Sequence, residues 1–238
     1  MKKTLAILSF YFFITSLMQA QPPAFYHLST AEGLSDNNVT IAVRDRNGIL
    51  WIATTEGLNS FDGNRITTYH KYKHPELPDN NIERILVDTE NRVWVRTNSD
   101  YITMLDEERK FHRILVGDTA DPVNISGIFH TKTNGIVVLK GKQHYFQQKN
   151  NPLLFEKKET PFDSLLNGTV GFTYYLDNDR VIYYRNNQLL LMDYATMKVL
   201  LQISFPGLSG LTILMTTNLL LLHQKVMYST ASASASKK

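Results

Sequence analysis

Apolar and polar residues alternate with a period of two along short stretches of the chain, which is the pattern of half-buried β-strands. Asn47-Gly48 and Asp62-Gly63 interrupt this pattern, and both pairs favour tight hairpin turns with positive φ. No stretch between these turns has the 3.6-residue period of a helix. The pattern predicts four strands, at Val39–Arg44, Ile49–Thr54, Leu58–Phe61 and Arg65–His70.

The stretch Asp36–His70 recurs as Asp79–His112 at a spacing of 43 residues. The spacing is kept by Asp36-Asn37-Asn38 and Asp79-Asn80-Asn81, by Asp45 and Asp88, by Trp51 and Trp94, and by Thr54 and Thr97. The second copy predicts strands at Ile82–Val87, Arg92–Thr97, Tyr101–Leu105 and Lys110–Leu115.

A period of about 40–45 residues is typical of a four-stranded propeller blade. One repeat cannot bury its own hydrophobic faces, so stability comes from stacking neighbours. We therefore predict an all-β fold, a β-propeller of four-stranded antiparallel blades of about 43 residues. Residues 21–228 have room for an incomplete ring of four to five blades.

Later blades can be traced with slippage. In the third, Val138 takes the position of Trp51, and Thr133-Asn134-Gly135 forms the first turn. The remaining predicted strands are Ile136–Lys140, Gln143–Gln147 and Leu153–Lys157 in the third blade, Thr169–Leu176, Arg180–Tyr184, Gln188–Asp193 and Lys198–Ile203 in the fourth, and Leu211–Met215, Leu219–His223 and Lys225–Tyr228 in the fifth.

The two ends of the chain differ from the repeats. Residues 1–20 combine Lys2 and Lys3 with an apolar run, which predicts a secretory signal peptide cleaved between Ala20 and Gln21. An uncleaved membrane anchor is the alternative, although the apolar run is short for a bilayer span of about 20 residues. Residues 229–238 are polar and of low complexity, which predicts a disordered tail.

Two further segments bear on the ring. Ala24–Leu28 matches a fourth strand without its own first three, so we expect it to complete another blade and hide edge hydrogen-bonding groups. Leu208–Leu222 is apolar, but Thr216-Thr217-Asn218 interrupts it. A turn inside a membrane span leaves backbone groups unsatisfied, so two buried strands are favoured over an anchor.

Composition excludes several functions. The 25 basic and 22 acidic residues are spread along the chain, so a net charge of +3 forms no polycationic face for nucleic acid. The chain has no cysteine, which excludes disulfide and thiolate chemistry.

No catalytic motif, cofactor-binding motif or metal-ligand spacing is present in the sequence. His27, His70 and His112 share one repeat position, for which a structural role is favoured over a metal site. Asp45 and Asp88 fall at hairpin turns, where Asp accepts backbone hydrogen bonds, rather than forming a catalytic carboxylate pair. For the two tryptophans, packing between blades is favoured over stacking on a sugar. Ligand-binding residues cannot be named from the sequence.

The repeat resembles the two-component regulator propeller repeat. The motif positions are Asn38, Asp45, Gly48, Trp51, Thr54, Gly57, Asp62 and Gly63 in the first copy, and Asn81, Asp88, Trp94 and Thr97 in the second. The first copy matches almost throughout. In the second, Asn91 replaces the turn glycine and Ser99-Asp100-Tyr101 replaces Gly-Leu-Asn.

The resemblance implies the periplasmic sensor region of a hybrid two-component histidine kinase of Bacteroidetes-type bacteria. It implies capture of an oligosaccharide outside the membrane, a homodimer in the full-length protein, and membrane contact only through downstream segments. The kinase domains of that family are absent from this sequence, so the expectation is a non-enzymatic sensor fragment without a cofactor. The alternatives are a free-standing secreted carbohydrate-binding propeller and a propeller glycosidase or lyase.

Overall fold

The computed structural model describes residues 27–118, 123–166, 170–175, 179–185, 188–204, 211–216 and 219–224. Over these residues the secondary structure is entirely β, with four antiparallel four-stranded sheets and one two-stranded sheet. Within each four-stranded sheet the strands pair in sequence order, so every connection inside a sheet is a hairpin. Each sheet is one blade of a β-propeller.

The first two blades follow the repeat copies. Blade 1 contains β1 (Val39–Arg44), β2 (Leu50–Thr54), β3 (Gly57–Phe61) and β4 (Ile66–Tyr69). Blade 2 contains β5 (Ile82–Val87), β6 (Val93–Thr97), β7 (Tyr101–Leu105) and β8 (Phe111–Leu115).

Two further blades and a hairpin follow. Blade 3 contains β9 (Ile125–Thr131), β10 (Gly135–Lys140), β11 (Gln143–Gln148) and β12 (Asn151–Lys158). Blade 4 contains β13 (Val170–Tyr175), β14 (Arg180–Arg185), β15 (Gln188–Asp193) and β16 (Lys198–Ser204), and the two-stranded sheet contains β17 (Leu211–Thr216) and β18 (Leu219–Gln224).

The predicted architecture is confirmed, with strand ends within a few residues of those expected. Of the predicted strand Ala24–Leu28, the described residues His27 and Leu28 belong to no strand, and the others lie outside the described residues. The signal peptide, the strand Lys225–Tyr228 and the tail lie outside the described residues.

In the segment Leu208–Leu222, the described parts form the paired strands β17 and β18. Over the described residues, no helix has the length and apolar character needed to span a membrane.

The hydrophobic core is divided into three clusters, one between each pair of successive blades. Trp51, Ile85 and Val95 belong to the cluster between blades 1 and 2. Trp94 and Ile128 belong to the next, between blades 2 and 3. The third joins blades 3 and 4 and is rich in aromatic residues, namely Phe129, Phe146, Phe162, Tyr183 and Tyr194. The described blades pack in sequence order and do not close into a ring.

In the third blade the structure differs by one residue from the alignment predicted for the tryptophan position. Val137, not Val138, occupies the tryptophan position, because it faces the following blade whereas Val138 faces the preceding one. Thr131 correspondingly occupies the position of Asp45 and Asp88. A shift of one residue exchanges the two faces of a strand, so the faces distinguish the alignments.

The first strand of every blade has a register shift at its second residue, which indicates a β-bulge. The shifts lie between Val39 and Ile41, between Ile82 and Arg84, opposite Leu139 and Lys140 in blade 3, and between Val170 and Phe172. The bulge recurs in blades 3 and 4, where the sequence motif has faded. It is therefore a more persistent mark of the repeat than the tryptophan.

The first two bulged residues link their blade to the next. Thr40 Oγ1 donates a hydrogen bond to the carbonyl oxygen of Ile82, at 2.8 Å. Glu83 binds Arg96 at 2.5 Å, and Arg96 donates to the carbonyl oxygen of Ile125 at 2.9 Å. Ile82 and Ile125 are the first residues of the following first strands, so the bulges join successive first strands.

Candidate functional site

The turn between β1 and β2 is organised by Asp45. Its Oδ1 accepts hydrogen bonds from the backbone N–H groups of Asn47 at 2.9 Å and Ile49 at 3.0 Å. Its Oδ2 accepts one from the indole Nε1 of Trp51 at 2.9 Å. Gly48 has a φ of +85°, a left-handed conformation that glycine adopts without strain. One buried carboxylate thus fixes both the turn and the tryptophan.

A residue of blade 2 completes the Asp45 environment. Arg109, in the turn between β7 and β8, donates from an η-nitrogen to Asp45 Oδ2 at 2.5 Å, and its guanidinium lies 4.9 Å from the centre of the Trp51 ring. Burial alone raises the pKa of Asp45, but the hydrogen bonds from Trp51 and Arg109 outweigh it, so the pKa lies below its usual value. The carboxyl is therefore an anion that is already paired.

Asp88 repeats this arrangement in blade 2. Its Oδ2 accepts from Trp94 Nε1 at 2.7 Å and its Oδ1 accepts from the backbone N–H groups of Glu90 and Arg92. The arginine here comes from the same turn, because Arg92 Nε donates to Asp88 at 2.7 Å. Asn91 takes the place of the turn glycine with a φ of +63°, which asparagine tolerates better than most residues.

The remaining motif residues of blade 1 meet on the opposite side of the blade. Ser35 Oγ lies 2.7 Å from Thr54 Oγ1 and accepts from Asn59 Nδ2 at 2.8 Å. Gly57 lies so close to the carbonyl oxygen of Tyr69 that a Cβ there would be 2.9 Å from it. The Asn38 carbonyl oxygen accepts from Thr55 N at 3.3 Å. These residues hold the blade together.

Blade 2 keeps less of this network. The structure corrects the predicted alignment here: Thr103, not Tyr101, stands in place of Asn59, because it pairs with Val95 as Asn59 pairs with Ile52. Thr103 donates to the Glu76 carbonyl oxygen at 2.6 Å, while the buried Thr97 Oγ1 has no hydrogen-bond partner among the described residues. The turn between β3 and β4 of blade 1 is held by Asp62, whose Oδ1 accepts from the backbone N–H groups of Asn64 and Arg65. Asn81 donates its backbone N–H to Asp79. Gly63 takes a φ of +99°.

The three repeated histidines do not converge. His70 Nδ1 lies 2.8 Å from the Glu56 carbonyl oxygen, His112 Nε2 lies 2.6 Å from Asp106, and His27 is exposed. In the part of the chain that the structure describes, no group of three or more His, Asp or Glu residues is placed to hold a metal ion.

Trp51 and Trp94 are 1% and 0% exposed, so neither can stack on a ligand. They lie in the clusters between blades, with the indole N–H directed at the turn carboxylate.

The most promising site is a pair of adjoining clefts over the turns between the first and second strands of blades 1, 2 and 3. We call it the turn cleft. Its larger part, of about 380 Å³, lies against blades 2 and 3, and its smaller part, of about 310 Å³, lies against blades 1, 2 and 3. Thr89 and His130 line both parts. The sequence placed these turns in separate blades and gave no indication that they form one site.

In the turn cleft the carboxylates form ion pairs, whereas several of the cations do not. Its lining carboxylates are Asp45, Asp88 and Glu90. Arg109 binds the first at 2.5 Å, and Arg92 binds the other two at 2.7 and 3.0 Å. The lining also contains four cations that make no ion pair within the described chain, namely Arg44, Arg46, Lys132 and Lys149.

His130 lies between the two parts of the turn cleft. Burial lowers the pKa of its imidazole, although the carboxylates of Asp88, Glu90 and Asp179 act in the opposite direction. It is therefore a neutral hydrogen-bonding group at neutral pH. Beside it the cleft offers the Thr133 hydroxyl and the Gln148 amide. The Gln147 amide lines the cleft too, but it is bonded to the Ile136 N–H and to the Pro152 carbonyl oxygen.

A second polar cluster lies buried between blades 3 and 4. His144 Nδ1 lies 2.6 Å from Asp163 Oδ1, and His144 Nε2 lies 2.8 Å from Tyr194 Oη, which lies 2.9 Å from Tyr183 Oη. Thr160 Oγ1 donates to Asp163 at 2.7 Å. Sequence reasoning missed this cluster, because its members have no common spacing.

Burial lowers the pKa of His144, although Asp163 acts in the opposite direction. Burial alone raises the pKa of Asp163, but hydrogen bonds from Thr160 and His144 outweigh it, so its pKa is lowered. His144 is 0% exposed, and none of its partners lines the turn cleft. An Asp–His–Tyr chain is chemically capable of proton transfer, but here the histidine and the tyrosines are buried and only Asp163 is partly exposed, so we assign the cluster to stabilising the interface.

Comparison with solved structures agrees with this architecture. An extracellular domain described as part of a hybrid two component system of B. thetaiotaomicron is 15% identical with a TM-score of 0.63, and the match covers 86% of this chain and 30% of that one. A second such domain from this organism is 19% identical with a TM-score of 0.61, covering 83% and 28%. The chain thus spans less than a third of either.

A structure with a different function has a related fold. Virginiamycin B lyase from Staphylococcus aureus is 13% identical with a TM-score of 0.54, and the match covers 74% of this chain and 59% of that one. At such identities the likeness shows the fold alone. No curated protein matches this sequence.

The fold and the stacked four-stranded blades define the class of the protein: it is a β-propeller. Residues 33–56 match the model of the family described as "Two component regulator propeller". The chain accordingly carries a two-component regulator propeller repeat. The match spans the Ser35–Thr54 network and the Asp45–Trp51 turn, so the family motif is the set of residues that holds blade 1 together.

Proposed function

We propose that the chain is part of an extracytoplasmic sensor of a two-component signalling system and that it detects an oligosaccharide. The observation that carries this proposal is the regulator propeller repeat at residues 33–56. The similarity in fold to extracellular domains of proteins described as hybrid two component systems supports it. These neighbours also support a periplasmic location, which accords with the predicted signal peptide at residues 1–20.

The proposed role is binding rather than catalysis. The turn carboxylates are committed to tryptophan and arginine partners, and His144 is buried and hydrogen-bonded at both ring nitrogens. Neither arrangement presents a free acid and base to a ligand, as glycoside hydrolysis requires.

The turn cleft is the proposed ligand site. Its backbone is held in place before any ligand arrives, since two buried carboxylates fix the turns, and Arg46 N donates to Asn91 Oδ1 across the blades at 2.8 Å. Turns that are already ordered lose little conformational entropy on binding. A ligand that spans the cleft would contact three successive blades and so change how they pack.

The test is direct binding. The purified chain is titrated by calorimetry with a panel of neutral and acidic oligosaccharides, with a substrate-release assay on the same panel. We expect saturable binding of at least one oligosaccharide and no change in the glycan. Release of reducing ends or unsaturated products would instead support an enzyme. A folded chain that binds no member of the panel would contradict the proposed function.

Signalling requires more than this chain, so a second test concerns its context. Reading the genomic DNA beyond the last codon in all frames distinguishes two cases. Further blades and a kinase would support the sensor. Neither of them following would favour the free-standing carbohydrate-binding propeller.

A further inference from the structure

The turn cleft has more positive charge than its own carboxylates neutralise. Asp45 is paired with Arg109, whereas Asp88 and Glu90 share Arg92. Asp179, which accepts a hydrogen bond from the backbone N–H of Thr133 at 3.3 Å, adds a fourth carboxylate beside the cleft. With the four remaining cations, six positive side chains therefore stand against four carboxylates. Arg44 and Arg46 line the smaller part, and Lys132 and Lys149 line the larger part. Placing these like charges around one concave surface raises the local positive potential and attracts an anion.

The cleft also lacks the surface that neutral sugars commonly use. Aromatic rings bind the apolar faces of sugar rings, but among its lining residues none is Trp, Tyr or Phe. The nearby tryptophans are buried between blades and unable to reach the cleft. What the lining provides instead is cationic, amide and hydroxyl groups.

From these observations we infer that the turn cleft binds an acidic oligosaccharide, whose carboxylate or sulfate groups pair with Arg44, Arg46, Lys132 and Lys149. This inference rests on the proposed function and specifies its ligand class. Guanidinium groups bind carboxylate or sulfate oxygens through two parallel hydrogen bonds, and ammonium groups bind them as point charges. The Thr133 hydroxyl and the Gln148 amide also line the cleft and supply donors and acceptors for sugar hydroxyls.

Arg46 is positioned by the protein itself. Its backbone N–H donates to Asn91 Oδ1 of the neighbouring blade, and the turn carboxylate of the adjacent Asp45 is buried. Lys132 and Lys149 come from two turns of blade 3. The cations therefore enter the cleft from different blades, so an anionic chain with several charges would bridge them.

The experiment compares ligands that differ only in charge. The full chain is titrated by calorimetry with oligogalacturonate and with its fully methyl-esterified counterpart, and separately with a sulfated and an unsulfated dextran oligosaccharide of equal length. We expect the acidic member of at least one pair to bind at least about tenfold more tightly than the neutral member. The two pairs distinguish carboxylate from sulfate. We expect the difference to shrink between 50 and 500 mM salt because exposed charges are screened.

Variants locate the site. The double variant Lys132→Gln/Lys149→Gln is expected to weaken acidic binding roughly tenfold. The matched control Lys71→Gln/Lys142→Gln removes two exposed lysines that do not line the cleft, and it is expected to change binding less than about twofold. Circular dichroism and a thermal melt confirm that both remain folded.

The outcomes are distinguishable. If neutral and acidic members of both pairs bind equally, the inference is overturned while the proposed function stands. If acidic binding is unchanged in the cleft variant, or falls equally in the control, the turn cleft is not the site. If neither acidic nor neutral oligosaccharides bind the folded chain, the inference falls together with the proposed function.

Discussion

The interface between blades 1 and 2 and the interface between blades 3 and 4 use different chemistry. The first contains an ion pair, Asp45 with Arg109, attached to a tryptophan. The second contains a histidine between a carboxylate and two tyrosines. One interface derives from a repeated motif, whereas the other appears once among the described blades.

This difference shows which features the repeat preserves. A turn carboxylate, its backbone donors and its tryptophan lie within seven residues, so a duplicated blade carries them unchanged. Contacts between blades join residues far apart in sequence and have to form anew in each interface. Asp45 obtains its arginine from the next blade, and Asp88 obtains one from its own turn. The tryptophan turn is therefore the same in both blades, whereas the arginine that pairs with its carboxylate comes from a different place in each.

The largest expected loss of stability comes from a substitution at the interface between blades 1 and 2. Asp45→Ala leaves the Arg109 and Trp51 donors without their buried acceptor and frees two turn N–H groups. Removing one partner of a buried ion pair costs about 3–5 kcal/mol. The free energy of unfolding from urea titration measures this. Asp62→Ala is the control, an exposed turn aspartate whose loss is expected to cost much less than that of Asp45. Equal losses in the two variants would contradict the role given to Asp45.

The next largest loss of stability is expected at the interface between blades 3 and 4. Tyr194→Phe removes the hydroxyl that lies between His144 and Tyr183, and a buried polar group that loses its partner costs about 1–3 kcal/mol. The same urea titration applies. Tyr72→Phe, at a 71% exposed tyrosine, is expected to change the free energy of unfolding by less than about 0.5 kcal/mol. A neutral Tyr194→Phe would show that the hydroxyl is not needed.

A smaller effect sharpens the comparison of the two tryptophan turns. Gly48→Ala forces an alanine into a left-handed conformation at a site with no neighbour within 4 Å, so the backbone alone accounts for a cost of about 1 kcal/mol. Asn91→Gly relaxes the equivalent position but loses the bond from Arg46 N, so little net change is expected. A Gly48→Ala variant as stable as the unmodified chain would show that the turn can adopt another conformation.

The smallest effect concerns pH. The pKa of His144 is lowered in the folded chain, so the unfolded chain takes up the proton first as the pH falls. Stability from this group is present above the unfolded pKa and is lost as the pH drops below about 6.5. We expect the melting temperature to fall between pH 7 and 5.5, and less steeply in His144→Gln. His130 acts in the same direction, so some slope remains. An unchanged slope in the variant would contradict the contribution of His144.

The sequence predicted the blades well because their information is local. Alternation and the glycine turns located the strands of blade 1, and the 43-residue spacing located those of blade 2. In blade 3 Thr131 and Val137 replace the aspartate and tryptophan, so the alignment lacked its markers and slipped by one residue.

The turn cleft and the contacts between blades could not be predicted from sequence patterns. Arg109 is 64 residues from Asp45, and no periodicity connects them. The turn cleft combines side chains of three blades whose unpaired charge is visible only after the ion pairs are known. The same holds for His144, whose partners come from a connecting segment and from the end of β15. Sequence patterns report local structure, and this site is a property of neighbouring blades.

The bulge in each first strand has a consequence for behaviour in concentrated solution. A first strand has one edge without a partner in its own sheet, and such an edge is a template for pairing with a foreign chain. An extra residue at the second position interrupts the regular spacing of donors and acceptors along that edge. An incoming strand could then pair in register only over the short remainder. The irregularity that joins one blade to the next therefore also protects the protein from fibril growth.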